Sequence, residues 1–271
     1  MKKIVAGIIP ARWGSTRFPG KALQEIAGKP LLRHVWERCR RARKLDQLII
    51  ATDDFRIAEA AFDWGAEVAM TLPNHVSGTD RVAEVAKKLK ECSHVVNIQG
   101  DEPLIDPKLI DRLVREMERD RKMEMVTAAH PFENPDDAMS PHQVKVVVDR
   151  NGDALYFSRA AIPFPRASEQ PAYVRHQGIY GYTRDLLLRF VRWKTSPLEK
   201  AESLEQLRAL ENGVRIRVVM TGSGSPGVDT LEDALAVAAS LCEARSGRSG
   251  AGRRHVAHRA TATGRKRSRE R

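Results

Sequence analysis

Apolar, β-branched runs alternate with stretches of helical periodicity along most of this chain, and that alternation restricts its fold more than any other feature. "KIVAGII" precedes the helical pattern "PLLRHVWERCRRARK", "QLIIAT" precedes "DFRIAEAAFDWG", and "EVAM" precedes "TDRVAEVAKKLKE". "HVVNIQ" is followed by "DPKLIDRLVREMERD", and that by the run "MVTAAH". Strands separated by helices of about ten to fifteen residues predict βαβ units: an α/β fold with a mostly parallel, Rossmann-like sheet and helices on both faces. The helix starts carry their own marks. Asp106-Pro107 offers an N-cap with proline at the first helical position, "SPLE" (Ser196 to Glu199) is a capping box, and "TLED" (Thr230 to Asp233) is similar.

The rhythm changes between about residues 131 and 182. "VKVVVDRNGDALYFSRAAIP" reads as a hairpin turning at Asn151-Gly152, and "HQGIYGYT" as a further strand, so an antiparallel subdomain is expected to be inserted into the α/β frame. Helical patterns then resume in "DLLLRFVRW" and "SPLEKAESLEQLRALENG". In the second, Leu198, Ala201, Leu204 and Leu207 form one apolar stripe with Glu205 and Gln206 beside it. A strand, "VRIRVVM", a Gly/Ser loop and a last helix ending near Arg245 complete the pattern. One domain over residues 1–244 and a tail over residues 245–271 are expected.

Several function classes drop out. No run of eighteen or more apolar residues exists, so no membrane span is expected. The two N-terminal lysines precede an apolar run too short for a secretion signal. Cys39, Cys92 and Cys242 lie far apart without CxxC spacing, which suits buried thiols in a reducing, cytoplasmic setting and neither disulfides nor zinc. The net charge of +11 is concentrated at one end: residues 245–271 hold ten Arg and Lys against one Glu, which leaves 36 basic against 34 acidic groups elsewhere. Such a tail is expected to be disordered, and nucleic acid could be contacted only through it.

The stretch "IIPARWGSTRFPGKAL" (Ile8 to Leu23) imitates a Walker A loop but is not one. Five residues separate Gly14 from Gly20, where the motif needs four, and Lys21 is followed by Ala22 instead of a hydroxyl residue. A Rossmann G-x-G-x-x-G is also absent. What remains is a loop at the carboxyl end of a strand, where α/β sheets bind ligands, carrying Arg12, Ser15, Thr16, Arg17 and Lys21. Three cations and two hydroxyls suit a triphosphate. In "VVNIQGDEPLIDP" a second strand empties into Asp101 and Glu102, and an acidic pair beside a basic loop suits Mg²⁺ held between carboxylate and phosphate. "SPGVDTLED" puts Asp229 just before the last helix, where alone it reads more readily as a neighbour of the N-cap than as a ligand.

With "HVSGTDRVAEV", "ALYFSRAAIPF", "RHQGIYGYTRDLLLRFV" and "GVDTLED" in this order, these stretches resemble the 3-deoxy-manno-octulosonate (Kdo) cytidylyltransferases over nearly all of residues 3–240. Leu231 departs from the proline usual after "VDT", and the tail has no counterpart. The resemblance implies a nucleotidyltransferase sheet, transfer of CMP from CTP to Kdo with release of pyrophosphate, a Mg²⁺ requirement, a role in lipopolysaccharide biosynthesis, and a homodimer formed through the antiparallel insertion. It also implies roles: Asp101 and Asp229 as metal carboxylates, and Arg12 and Lys21 as catalytic cations on the triphosphate. Ala11, Arg12, Gly14, Ser15, Thr16, Lys21, His75, Ser77, Gly78 and Gln99 would bind the nucleotide. Gln99, Arg159, His176, Tyr180, Glu205 and Gln206 would meet the sugar acid, with Arg159 suited to a bidentate pair with its carboxylate. Taken alone, His176 reads as a structural histidine. A different acidic sugar, 8-amino-Kdo or a sialic acid, remains open from sequence.

Overall fold

The computed structural model describes residues 4–14, 20–166 and 171–253, with side chains to Cys242. Strand β1 (Ile4–Ala11) leads through a 3₁₀ turn and a small ribbon, β2 (Glu25–Ile26) and β3 (Lys29–Pro30), into helix α1 (Leu31–Cys39). Then follow β4 (Gln47–Thr52), α2 (Phe55–Asp63), β5 (Glu67–Met70), α3 (Gly78–Lys88), β6 (Cys92–Asn97), α4 (Pro107–Arg119) and β7 (Met125–Pro131). The antiparallel region supplies β8 (Lys145–Val148), β9 (Ala154–Ser158) and β10 (Val174–Thr183). Helices α5 (Arg184–Phe190), α6 (Pro197–Glu202) and α7 (Gln206–Glu211), strand β11 (Ile216–Met220) and helix α8 (Leu231–Arg253) end the described chain.

The main sheet runs β11-β7-β10-β6-β1-β4-β5. β1 pairs in parallel with both β4 and β6, as does β11 with β7. The expected parallel sheet is therefore present, but β10 is antiparallel to β6 and β7 and lies between them at the sheet's centre. The antiparallel region is thus woven into the main sheet, with β8 and β9 attached through β10. The hairpin turns where Asn151-Gly152 predicts: Asn151 N–H donates to Asp149 Oδ1 at 2.8 Å, and Gly152 takes the left-handed φ of 82°.

Helices cover both faces because the strand residues alternate. Val5 and Ile9 pack with Leu32, Val35, Ile57 and Leu113 of α1, α2 and α4; Ala6 and Ile8 face Val82, Val85, Leu186 and Leu207 of α3, α5 and α7. Each fully buried aliphatic side chain of this kind contributes about 1.5–3 kcal/mol. A smaller cluster of Ile26, Leu31, Val228, Ala234 and Val237 seats α8 on the β2–β3 ribbon.

Three expected caps form: Asp106 accepts from Lys108 N–H, Ser196 and Glu199 make a reciprocal capping box, and Asp233 N–H donates to Thr230 Oγ1. Two helix expectations need correction. The "SPLE…LENG" helix is broken at Ser203, which adopts φ 51°, so Leu204 and Leu207 are buried while Leu198 and Ala201 of the expected stripe are exposed. The last helix runs to Arg253, past Arg245, through a Gly/Ser-rich stretch that contains no proline. Residues 254–271 of the expected tail lie outside the described residues. Cys39 and Cys92 are buried thiols, Cys242 is exposed, and none is in a disulfide. No described helix is long and apolar enough to cross a membrane.

Candidate active site

A cleft of about 440 Å³ opens at the carboxyl ends of β1 and β6, beside the start of α3. Glycine makes room for this crossing: a Cβ on Gly100 would stand 3.0 Å from the Pro10 carbonyl oxygen. Ala11 and Arg12 enter from the end of β1, Gln99, Gly100 and Asp101 from the loop after β6, and His75, Ser77 and Gly78 from the approach to α3. Asp229 closes the cleft from the loop before α8.

Lys21 unites the two expected metal carboxylates. Its Nζ lies 2.7 Å from Asp101 Oδ2 and 2.9 Å from Asp229 Oδ1, partners 80 and 208 residues away in sequence. The backbone enforces the meeting, since Val228 N–H donates to the Asp101 carbonyl at 2.9 Å and holds the two loops together. Burial lowers the Lys21 pKa, but Asp101 and Asp229 raise it further, and the net shift is above the ordinary value. The ammonium is therefore charged and serves as counter-ion to both carboxylates.

The same carboxylates fit Mg²⁺. Both reach one cation, the Lys21 ammonium, and Mg²⁺ takes one or two protein carboxylates and fills its other positions with phosphate oxygens and water. Among the described residues no group of three or more His, Cys, Asp or Glu side chains is arranged for a metal.

The wall of the cleft formed at the start of α3 is braced from behind. Ser77 is the N-cap of α3 in a reciprocal capping box with Asp80, so the helix presents its amino end to the cleft, a disposition suited to anions. Ser77 Oγ also lies 3.0 Å from Glu205 Oε1, and Thr79 donates to Glu205 Oε2 at 2.7 Å. Burial raises the Glu205 pKa against the opposing pull of these hydroxyls and Arg208. His75 Nε2 is 2.7 Å from Glu84 Oε2, which also accepts from Leu72 N–H. Although burial opposes it, hydrogen bonding from Leu72, His75 and Lys88 lowers the Glu84 pKa to about 2. Gln99 Nε2 donates to Gly178 O at 2.8 Å, beside the bulge of β10.

Of the residues expected at the site, Ala11, Arg12, Lys21, His75, Ser77, Gly78, Gln99, Asp101 and Asp229 meet around this cleft. Gly14 is exposed and does not line it, and Ser15 and Thr16 lie outside the described residues. The expected sugar residues other than Gln99 do not line it. Arg159 gives its guanidinium to main-chain oxygens of Glu202, at 2.7 Å, and Pro141, at 3.0 Å, so in this conformation it fastens the end of α6. His176 lies near the start of β10, 3.0 Å from Thr127 Oγ1, between the rings of Phe157 and Tyr180. Burial pushes its pKa down to about 3, so its ring is neutral. Tyr180 is held well above its ordinary pKa by burial and Glu205, and Gln206 is buried at the start of α7.

Arg81 lines the cleft but was not expected there. Only 5% exposed as a side chain, it pairs with Asp53 at 3.0 Å across the end of β4. Its sequence signal was a cation on the apolar stripe of α3, one turn before Val85.

The cytidylyltransferase family pattern matches residues 6–216. The 3-deoxy-manno-octulosonate cytidylyltransferase of Syntrophobacter fumaroxidans is 50% identical over 243 residues, covering 88% of this chain and 97% of its own. The enzyme of that name from an Anaeromyxobacter species is 54% identical over 231 residues, covering 84% and 93%. A solved structure of CMP:2-keto-3-deoxy-manno-octonic acid synthetase in complex with CTP superposes with a TM-score of 0.86 at 41% identity, covering 89% of this chain and 99% of that one.

Proposed function

Because this chain belongs to the 3-deoxy-manno-octulosonate cytidylyltransferase family, we propose that it transfers CMP from CTP to the anomeric hydroxyl of Kdo and releases pyrophosphate. The observation that carries this reading is the Lys21 ammonium set between Asp101 and Asp229 in a cleft that also holds Arg12 and the start of α3. In the proposed step the sugar oxygen forms a bond to the α-phosphorus, the bond from that phosphorus to the pyrophosphate oxygen breaks, and the hydroxyl proton passes to solvent.

The residues divide the work by charge. Arg12 and Lys21 hold the triphosphate and balance charge that grows on the leaving pyrophosphate, a task worth about 3 kcal/mol for each well-placed donor. Ser77 and the amino end of α3 orient the nucleotide against Ala11 and Gly78. Gln99, fixed by Gly178, stands between the nucleotide wall and β10, where a sugar acid would approach. Asp101 and Asp229 would hold Mg²⁺ against the phosphates. When bound, that ion supplies neutralisation of phosphate charge and lowers the pKa of the attacking hydroxyl.

Magnesium dependence, a role in lipopolysaccharide biosynthesis, a cytoplasmic setting and a homodimer through the antiparallel strands belong to the same proposal, supported by the family resemblance. The test is ³¹P NMR of CTP mixed separately with Kdo, 8-amino-Kdo and a sialic acid. Formation of sugar nucleotide and pyrophosphate with Kdo supports the reading. Turnover confined to another acid would reassign the sugar, and no turnover with any of them would overturn it.

A further inference from the structure

Arg12 and Lys21, the two cations assigned to the triphosphate, each sit beside a residue that is pinned by the other's neighbour. Trp13 follows Arg12, Gly20 precedes Lys21, and the two touch. Gly20 N–H donates to the Trp13 carbonyl at 3.2 Å. A Cβ on Gly20 would come within 3.2 Å of the Trp13 ring, and Gly20 also takes the left-handed φ of 70°. Contact and conformation both require glycine there.

The indole also carries a cation. The Arg56 guanidinium carbon lies 3.4 Å from the Trp13 ring centroid, within the range of a cation–π contact. Arg56 is in turn fixed by a two-pronged pair with Asp54, Nε to Oδ1 at 2.9 Å and Nη2 to Oδ2 at 2.6 Å. Asp54 is the N-cap of α2, accepting from Arg56 N–H, so the stack is fixed to the start of a packed helix. The inner edge of the half-buried indole packs against the core shared by α1 and α2.

We propose that Trp13, held by Gly20 and by the Arg56–Asp54 pair, is a positioning residue that fixes the backbone carrying Arg12 and Lys21 before the nucleotide arrives. The proposal rests on the reading of the cleft as a CTP site. It acts by preorganisation: the cost of ordering both cations is met in folding and is not charged to binding. Neither Trp13 nor Arg56 lines the cleft. Their effect should reach nucleotide affinity through Arg12 and Lys21 and spare the sugar.

The experiment is calorimetric titration of CTP into the full chain without sugar, paired with KM for CTP and for Kdo and with thermal denaturation. Trp13→Ala should weaken CTP binding about tenfold and raise the KM for CTP in step, leaving the KM for Kdo within about twofold. Trp13→Phe, which keeps a ring in the clamp, should recover most of the affinity. Arg56→Ala, which removes the exposed cation–π partner together with its pair to Asp54, should cost about two- to fivefold. A folded Trp13→Ala protein that binds CTP like the wild type overturns the proposal. So does a Trp13→Phe variant as weak as Trp13→Ala, or a KM change shared equally by CTP and Kdo. A wild-type chain that binds no CTP is a different result and refutes the cleft assignment itself.

Discussion

Ser77 Oγ lies 3.0 Å from Glu205 Oε1, and this contact joins the start of α3 to the break between α6 and α7 across 128 residues of sequence. It ties a residue expected to bind the nucleotide to one expected on the sugar side. Glu205 also accepts from Thr79, so its removal strands a hydroxyl that the fold has buried. Glu205→Ala should cost about 1–3 kcal/mol of stability, read by urea denaturation, and should raise the KM for CTP. Glu205→Gln keeps one acceptor and should lie between Glu205→Ala and wild type.

Lys21→Met separates catalysis from stability. Asp101 and Asp229 are 35% and 53% exposed, so water can solvate them once the ammonium is gone. The melting temperature should move by no more than a few degrees. Turnover should fall about a hundredfold or more, the effect of losing one donor to developing phosphate charge.

His176 should give the stability a measurable pH slope. Its folded pKa is pushed down by burial to about 3, below the ordinary 6.5, so between those values the unfolded chain holds a proton that the folded chain does not. Stability is therefore full above about pH 6.5 and is lost as pH falls toward 3, at up to about 1.4 kcal/mol per pH unit. Denaturant melts of wild type and His176→Gln from pH 7 to pH 4.5 should diverge, with the variant flatter. Parallel curves would contradict the neutral, half-buried ring.

Ser203 offers a test of the helix break that delivers Glu205. Its φ of 51° costs a non-glycine residue about 1 kcal/mol or more, and a β-branched residue more still. Ser203→Gly should be neutral or stabilising by up to about 1 kcal/mol, and Ser203→Val destabilising by about 1–2 kcal/mol, in thermal denaturation.

These residues also mark where reading the sequence succeeds and where it stops. Alternating apolar runs and local caps such as Asp106 and Ser196 are short-range signals, and they located the strands and helices. The loops that line the cleft were legible because Arg12, Lys21 and Asp101 follow strand ends. Three things were not legible. No local signal says that β10 returns between β6 and β7, because strand partners are chosen by long-range packing. No residue near Ser203 is glycine or proline, so the left-handed turn there reads as continuous helix. Arg81 needed Asp53, 28 residues away, to turn a cation on an apolar stripe into part of the cleft wall. Asp229 is intermediate: family resemblance raised it above an N-cap neighbour, and its position beside Lys21 gives that reading a geometry.

The most direct test of the account is pyrophosphate release on mixing CTP, Kdo and Mg²⁺ with wild type, Asp101→Asn and Asp229→Asn, each first shown to be folded. The account predicts one pyrophosphate per sugar nucleotide formed by the wild type and rates at least about a hundredfold lower for either variant. Variant rates close to wild type, or hydrolysis of CTP without a sugar nucleotide, would contradict it.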